Sequence, residues 1–319
     1  MLLGALTVWL ALAADPPTAA AQIPSLVDLT AQYTPPSRLD DPNVAEAQIS
    51  SYRLTLNLPI PLSARRFLIP GVAYHVDSVA YARMPVDGDQ QRTFQAPELS
   101  LLFVQLLPDR WSLTVRGGTT LAGGFDHIEP RMLRYNAVVL ATHALSDRLS
   151  IGGGGLVTGG FGSILPLPAA LVRWKPLDHL QIDAFLPAFV NARYTAWNRV
   201  EVGARIEVTG TAYALGDAPS VARWPCAAQP DDDPLTPDDE TMASPGACTD
   251  HVTYTVGSAG LLAGIRLTSS IWLTTFAGVS FYRHAEQQNR DSDAVPGGVH
   301  GLPAALFVRT SLTWRIPRT

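Results

Sequence analysis

Residues 108–121 read PDR followed by WSLTVRGGTTL, and this stretch decides the fold. In its second part, large apolar side chains lie on one parity, and polar or small side chains lie on the other. The apolar row is Trp111, Leu113, Val115 and Leu121, and the polar row is Ser112, Thr114, Arg116, Gly118 and Thr120. This alternation is typical of a β-strand with one apolar and one polar face. The stretch therefore predicts a tight polar turn followed by a two-faced strand.

The same combination of turn and strand recurs along the chain. Close copies begin at Ser146, Leu177 and Trp197, and looser copies begin at Ser63 and Thr268. Short alternating strands that are separated by turn residues at regular spacing are typical of all-β architectures. Six copies of one unit therefore predict a chain that is built from successive antiparallel hairpins.

The composition indicates that part of the surface faces something other than water. Charged residues make up 16% of the 319 residues, compared with about 25% in an ordinary soluble domain. Beyond residue 15, the sequence has no run of about 18 apolar residues that would form a transmembrane helix. An apolar chain that alternates with period two fits a transmembrane β-barrel, in which lipid-facing and lumen-facing side chains take turns.

The first 21 residues are expected to be a cleavable signal peptide. Leu2 to Ala14 is an apolar segment of suitable length, and small residues at 19–21 precede Gln22 in the pattern that signal peptidase cleaves. The segment lacks a basic residue near Met1, so an N-terminal helix that packs on the domain is the alternative. Residues 22–319 are expected to form one domain, because all-β barrels commonly exceed 200 residues as one unit.

The segment 216–250 is predicted to be a long external loop. Residues 231–240 contain six carboxylates, which suits a solvated loop. These carboxylates could bind Ca²⁺, but their spacing matches no EF-hand pattern, so we predict no metal site and no cofactor. In an exported protein, Cys226 and Cys248 predict a disulfide, with free thiols as the alternative.

The alternating segments number fourteen, or twelve if the short pair between Leu180 and Thr195 does not cross the membrane. Both numbers are even, as in bacterial single-chain barrels. After a first strand from Leu26 to Tyr33, the Pro- and Asp-rich stretch 34–43 is expected to be a loop. The predicted fold class is thus all-β: a closed antiparallel up-and-down transmembrane β-barrel of about 14 strands.

Several short motifs together resemble bacterial outer-membrane β-barrel proteins: the signal, the Asp-Arg and Asp-His turns, the Gly-rich strands and the final aromatic strand. The pieces Leu165-Pro166 and Leu186-Pro187, on either side of the turn 174–179, resemble an uncharacterised outer-membrane barrel family. The resemblance covers most of residues 26–316. It implies the cell outer membrane as the location. It also implies membrane lipid, lipopolysaccharide and the barrel-assembly machinery as partners.

Seven charged residues are predicted to face the lumen. They are Arg116, Asp183, Glu201, Arg205, Glu207, Arg309 and Arg315. In the most regular strand, charged residues alternate with an apolar row from Val200 to Val208, which suits a wet lumen and a hydrocarbon exterior. In a soluble sandwich the same apolar row would be the core, and periodicity alone does not separate the two. These charges either tune which solutes pass or form a paired network that fills a narrow barrel.

The leading functional hypothesis is passive or facilitated passage of a small solute through the lumen. The alternative is a closed, non-conducting barrel whose surface loop serves binding or envelope integrity, and the filling of the interior separates these two. An outer-membrane lipid esterase is a remote alternative, since His75 and Asp77 share a strand face but Ser78 points to the other. We therefore predict no catalytic residue and no enzyme. The net charge of −5 and the single lysine, Lys175, argue against nucleic acid as a partner.

Overall fold

The computed structural model describes residues 25–41, 44–82, 90–125, 128–161, 163–214, 251–288 and 294–315. The predicted signal peptide, the loop 216–250 with its carboxylates, and Cys226 and Cys248 lie outside these residues, so the statements about them stay predictions. No helix in the described ranges is long and apolar enough to cross a membrane.

Sixteen strands follow one another in the described part of the chain. They are β1 Val27–Asp41, β2 Val44–Asn57, β3 Ile60–Ser63, β4 Arg66–Ala82, β5 Gln90–Leu106, β6 Trp111–Leu121, β7 Leu133–Ala144, β8 Leu149–Phe161, β9 Ser163–Leu177, β10 Leu180–Leu186, β11 Phe189–Ala196, β12 Val200–Ala214, β13 His251–Arg266, β14 Ile271–Gln288, β15 Ala294–Gly301 and β16 Ala305–Trp314. One turn of 3₁₀ helix, Pro130–Met132, precedes β7.

The strands close into a ring. Two short strands prolong longer ones: β3 continues β2 along the edge of β4, and β15 leads into β16 along β14. Pro59 and Pro303 lie at these two interruptions, and a proline has no N–H to donate to a ladder. The ring order is β1-β2-β4-β5-β6-β7-β8-β9-β10-β11-β12-β13-β14-β16, and β16 pairs with β1. The predicted closed antiparallel up-and-down barrel of fourteen strands is confirmed.

Tight turns gather at one end of the barrel, which we call the turn end; the opposite end is the loop end. β6 begins at the turn end at Trp111, as the sequence predicted, and ends at Leu121. In the turn before it, Asp109 and Arg110 both have positive φ angles, 55° and 61°. Two such residues make a hairpin turn whose twist matches that of the flanking strands. The turn from Trp197 to Asn198 has the same geometry, with φ angles of 47° and 53°.

The outer face of the barrel is apolar. Large side chains at outward positions stay exposed, including Leu29, Tyr52, Val72, Leu99, Tyr135, Val139, Val202, Ile206, Leu261 and Leu306. Leu261 is 72% exposed and Leu99 is 61% exposed, values that an aqueous surface rarely tolerates in continuous rows. An apolar belt around a ring in which every strand pairs on each side along at least part of its length is the surface that hydrocarbon requires.

The first strand is longer than predicted. The loop expected over 34–43 was wrong, because β1 continues to Asp41 beside β2. The ladder shifts register between Thr34 and Ser37, where two successive prolines interrupt it. A bulge lets a strand pass residues that cannot donate a ladder hydrogen bond. The prolines therefore kink this strand without ending it.

The hairpin of β10 and β11 is short, with strands of 7 and 8 residues. Its tip reaches only to Ala170 of β9, which faces Leu186, and to Glu207 of β12, which faces Phe189. A strand that crosses the hydrocarbon needs about 9–11 residues. In the described ranges, β9 and β12 therefore continue toward the loop end without this hairpin between them.

Candidate functional site: a charged lumen

The barrel encloses a cavity of about 1150 Å³. Its lining runs from Asp178 and Asn198 at the turn end to Asp77 and Tyr254 near the loop end. Most of the lining side chains are polar or charged, and they come from β1, β2, β4, β10–β14 and β16. Pockets that hold small molecules commonly measure about 300–1,000 Å³. The lumen therefore has room for a small solute and accompanying water.

The structure brings the predicted lumen charges into or next to this cavity. Four of them line it directly: Glu201, Arg205, Arg309 and Arg315. Asp183 and Glu207 each contact an arginine that lines the cavity. Arg116 lies further round the wall and contacts Glu98, whose other partner is the lining residue Arg53.

One carboxylate on β5 is held between two arginines. Glu98 Oε2 lies 3.0 Å from Arg53 Nη2, and Glu98 Oε1 lies 2.9 Å from Arg116 Nη2. The three residues come from β2, β5 and β6. Their neighbours Tyr52, Leu99 and Val115 point outward, and successive side chains of a strand point to opposite faces, so the triad residues point into the lumen. The group carries one net positive charge.

A second carboxylate has the same arrangement on the opposite side of the ring. Asp183 Oδ1 lies 3.2 Å from Arg173 Nε, and Asp183 Oδ2 lies 2.9 Å from Arg193 Nη2. Gln181 Nε2 also donates to both carboxylate oxygens, at 2.9 and 2.7 Å. Strand register creates the site, because Asp183 lies opposite Arg173, and Gln181 lies opposite Arg193.

A third carboxylate completes the set. Glu207 Oε2 lies 2.7 Å from Arg205 Nε on the same strand, and Glu207 Oε1 lies 2.6 Å from Arg309 Nη2. Arg309 also donates to Gln32 Oε1 at 2.8 Å. We call these three groups the arginine triads: Arg53–Glu98–Arg116, Arg173–Asp183–Arg193 and Arg205–Glu207–Arg309.

Aromatic rings hold three of the lumen guanidinium groups in place. Arg205 lies 5.0 Å above the ring of Phe189, and Arg309 lies 5.5 Å above that of Phe276. Arg315 lies 4.9 Å above Trp272 and pairs with Glu201 at 3.1 Å. A flat guanidinium that stacks on a ring keeps its edge free to donate hydrogen bonds. These arginines are therefore positioned rather than mobile.

A cluster of buried apolar residues lies across the lumen near the loop end. It consists of Phe94, Ala96, Ala122 and Tyr213, with Val252 against it, and we call it the plug. The Phe94 and Tyr213 rings stack at 4.8 Å between centroids. The consecutive residues 212–214 are all buried, at 1%, 4% and 0% exposure. Successive residues of a strand point to opposite faces, so both faces of this segment are covered and the end of β12 lies inside the barrel.

Backbone hydrogen bonds tie the plug across the barrel. Gly123 exchanges two hydrogen bonds with Gln95 of β5, at 2.9 and 3.0 Å, and Ala214 N of β12 donates to Ala122 O at 3.0 Å. β5 and β12 are seven positions apart in the ring of fourteen in either direction. They are therefore opposite walls, and the residues after β6 bridge them. The plug is therefore formed by wall segments that bend into the lumen: the end of β12 and the residues after β6.

The pair considered for an esterase lines the cavity beside the plug. His75 Nε2 lies 3.0 Å from Asp77 Oδ1, and the Tyr213 phenol donates to Asp77 Oδ2. Ser78 follows Asp77 on the opposite face of β4. Asp77 therefore holds the end of β12 in place.

Sequence reasoning missed four members of the triads: Arg53, Glu98, Arg173 and Arg193. A signal for them was present, since each one lies between outward residues of an alternating strand. The plug had no comparable signal, because it depends on a contact between two distant segments.

The profile of one protein family, described as "Domain of unknown function (DUF6268)", matches residues 17–315. No curated protein matches the sequence significantly. Among solved structures, an outer membrane channel from Pseudomonas putida F1 is similar over 94% of this chain and 98% of its own, with 9% identity and a TM-score of 0.43. The NanC porin covers 91% of this chain and 100% of its own, with 8% identity and a TM-score of 0.39. The P. putida toluene transporter TodX covers 97% of this chain and 94% of its own, with 8% identity and a TM-score of 0.39.

Proposed function

Since this chain belongs to the family described as a domain of unknown function (DUF6268), which brings no activity with it, we propose a function from the lumen itself. The protein is an outer-membrane channel for a small polar solute, and the plug closes its loop end in this conformation. The observation that carries the proposal is the polar cavity of about 1150 Å³ that extends from the turn end to the plug.

The width of the ring supports a channel. Barrels of about 8 strands have interiors that side chains fill, whereas wider rings leave space along the axis. With fourteen strands this wall is wide enough to enclose water, and among the described residues the folded-in end of β12 and its neighbours occupy the lumen near the loop end. A closed barrel that served as a scaffold alone would not need charged groups along most of its length.

The outer face supports the membrane location. The exposed apolar rows match a lipid exterior, and tight turns at one end match the periplasmic side of outer-membrane barrels. The turn end accordingly faces the periplasm. The proposal includes no enzymatic activity, because Ser78 lies on the strand face opposite His75 and Asp77.

Conduction requires the plug to move. Its polar ties across the barrel are few: the Tyr213–Asp77 hydrogen bond and the backbone bonds at Gly123 and Ala214. Each hydrogen bond contributes about 0.5–1.5 kcal/mol, and the Phe94–Tyr213 stack contributes a similar amount beyond its burial. These four hydrogen bonds and the stack contribute about 2.5–7.5 kcal/mol apart from the burial of the two rings, so the open state is expected to be rare and brief.

Single-channel recording in planar bilayers tests the proposal. The refolded protein is expected to show brief conductance steps, and the Phe94→Ala and Tyr213→Ala double variant is expected to stay open for longer. Tyr135→Ala, which truncates an outward tyrosine that is 57% exposed, serves as the matched control. Absence of steps from both the protein and the double variant would favour the non-conducting barrel.

A further inference from the structure

We infer that the lumen selects small anions, and specifically solutes that carry an oxyanion group such as a carboxylate. This inference rests on the proposed channel function and names its class of substrate. It follows from the way the arginine triads present charge to the cavity.

The lining has an excess of positive charge. The arginines that line the cavity are Arg53, Arg193, Arg205, Arg266, Arg309 and Arg315, and the carboxylates are Asp28, Asp77, Asp178 and Glu201. Six arginines and four carboxylates leave the lining with two net positive charges when the histidines are neutral. The whole chain has a net charge of −5, so the lumen has the opposite sign to the protein as a whole.

The triads expose their arginines more than their carboxylates. The Glu98 side chain is 11% exposed, whereas that of Arg53 is 46% exposed. The Glu207 side chain is 3% exposed, and those of Arg205 and Arg309 are 30% and 21% exposed. A solute in the cavity therefore meets guanidinium groups first. The potential that it experiences is more positive than the net charge of each triad indicates.

The guanidinium groups also have more hydrogen-bond donors than their carboxylates can accept. Two arginines carry ten N–H donors, and one carboxylate offers about four acceptor sites, so at least half of the donors in each triad are available to other acceptors. Planar forks of this kind bind carboxylates and phosphates through two parallel hydrogen bonds. The triads thus supply both attraction and geometry for an oxyanion.

Reversal potentials in a KCl gradient at low salt test the selectivity. Two excess charges facing a water-filled lumen are expected to favour chloride over potassium roughly fivefold. In the Arg53→Gln and Arg193→Gln double variant, this ratio should fall toward unity. Each carboxylate keeps one arginine there, through Arg116 and Arg173, so no buried charge is left unpaired. Glu98→Gln removes one negative charge and should raise the preference for chloride over potassium.

Arg110→Gln is the matched control, because it makes the same charge change on the exposed turn before β6, where Arg110 pairs with Asp147 at 3.3 Å. Its reversal potential should equal that of the unmodified protein. A preference for potassium, or a ratio that the double variant does not change, would overturn the inference.

A second readout works without conduction. Trp272 lines the cavity beneath Arg315, and subtracting the fluorescence of Trp272→Phe isolates its signal. With each quenching constant divided by that for free N-acetyltryptophanamide in the same buffer, iodide is expected to quench this signal several times more strongly than caesium. Equal or stronger quenching by caesium would contradict anion selection. If the protein does not conduct but iodide quenching prevails, the proposed channel fails while the anionic lumen site stands.

Discussion

Tyr213 donates a hydrogen bond from its phenol to a carboxylate oxygen of Asp77 across the barrel. Tyr213 belongs to β12 and Asp77 to β4, and at least five strands separate these two in either direction around the ring. His75 lies 3.0 Å from the other carboxylate oxygen. The contact therefore connects two walls that share no ladder, and it marks the boundary between the wet lumen and the dry plug.

Tyr213→Phe removes this hydrogen bond and keeps the ring that stacks on Phe94. Asp77 then loses a donor in a largely buried site, which should lower the free energy of unfolding by about 1–3 kcal/mol and raise the open fraction of the channel. Single-channel dwell times and the temperature of heat-induced gel-mobility shift measure the two effects. Tyr135→Phe, on the outer face, should change neither, and identical dwell times for both variants would show that the bond does not hold the plug.

Gly123 lies where the backbone crosses the barrel. A Cβ at this position would come within 3.0 Å of both Ala214 O and Met132 Cε, closer than ordinary van der Waals contact. Gly123→Ala should therefore push the end of β12 away, destabilise the fold by about 1–3 kcal/mol and open the channel more often. Gly117→Ala on the preceding strand β6 is the matched control, because no heavy atom lies within 4 Å of its added methyl group. Equal unfolding temperatures for the two variants would contradict this account.

The barrel could be predicted from sequence because period-two alternation and turn chemistry are local. β6 begins at the predicted residue, and Arg116, Glu201 and Arg309 lie on the predicted parity. The partners of these residues could not be predicted, since they depend on register. Asp183 meets Arg173 and Arg193 only because three strands align at particular positions, and a shift of one residue would turn all the side chains of a strand to the other face.

The plug was beyond sequence reasoning for a different reason. Residues 212–214 read Ala-Tyr-Ala, and this pattern fits an ordinary wall strand. What places them inside the barrel is the end of the short β10–β11 hairpin at Glu207, together with the bridge from Gly123 to Ala214. The bridge is a contact between segments far apart in the chain, which local patterns do not reveal.

Asp183→Asn should destabilise the barrel, because it leaves Arg173 and Arg193 close together in a partly buried site without their shared carboxylate. Breaking a buried ion pair on one side costs about 3–5 kcal/mol, and partial exposure of this one lowers the expected cost to about 2 kcal/mol. Asp178→Asn breaks the Arg148–Asp178 pair, whose carboxylate side chain is 78% exposed, and should cost less than about 1 kcal/mol. Unfolding temperatures for the two variants in the same detergent compare them. The order of the two costs is the prediction, and the reverse order would contradict it.

The outer face distinguishes a membrane barrel from a soluble one. Leu261 is 72% exposed on β13, so in water an arginine at this position would be harmless. In a bilayer, Leu261→Arg places a charge against hydrocarbon, at a cost of about 2–4 kcal/mol near the midplane. Folding yield into lipid vesicles, scored by heat-modifiable gel mobility, should fall for Leu261→Arg and stay unchanged for Ala64→Arg in the exposed turn after β3. A chain that folds in buffer without lipid, and tolerates both changes equally, would place the apolar face in water and remove the basis for the channel.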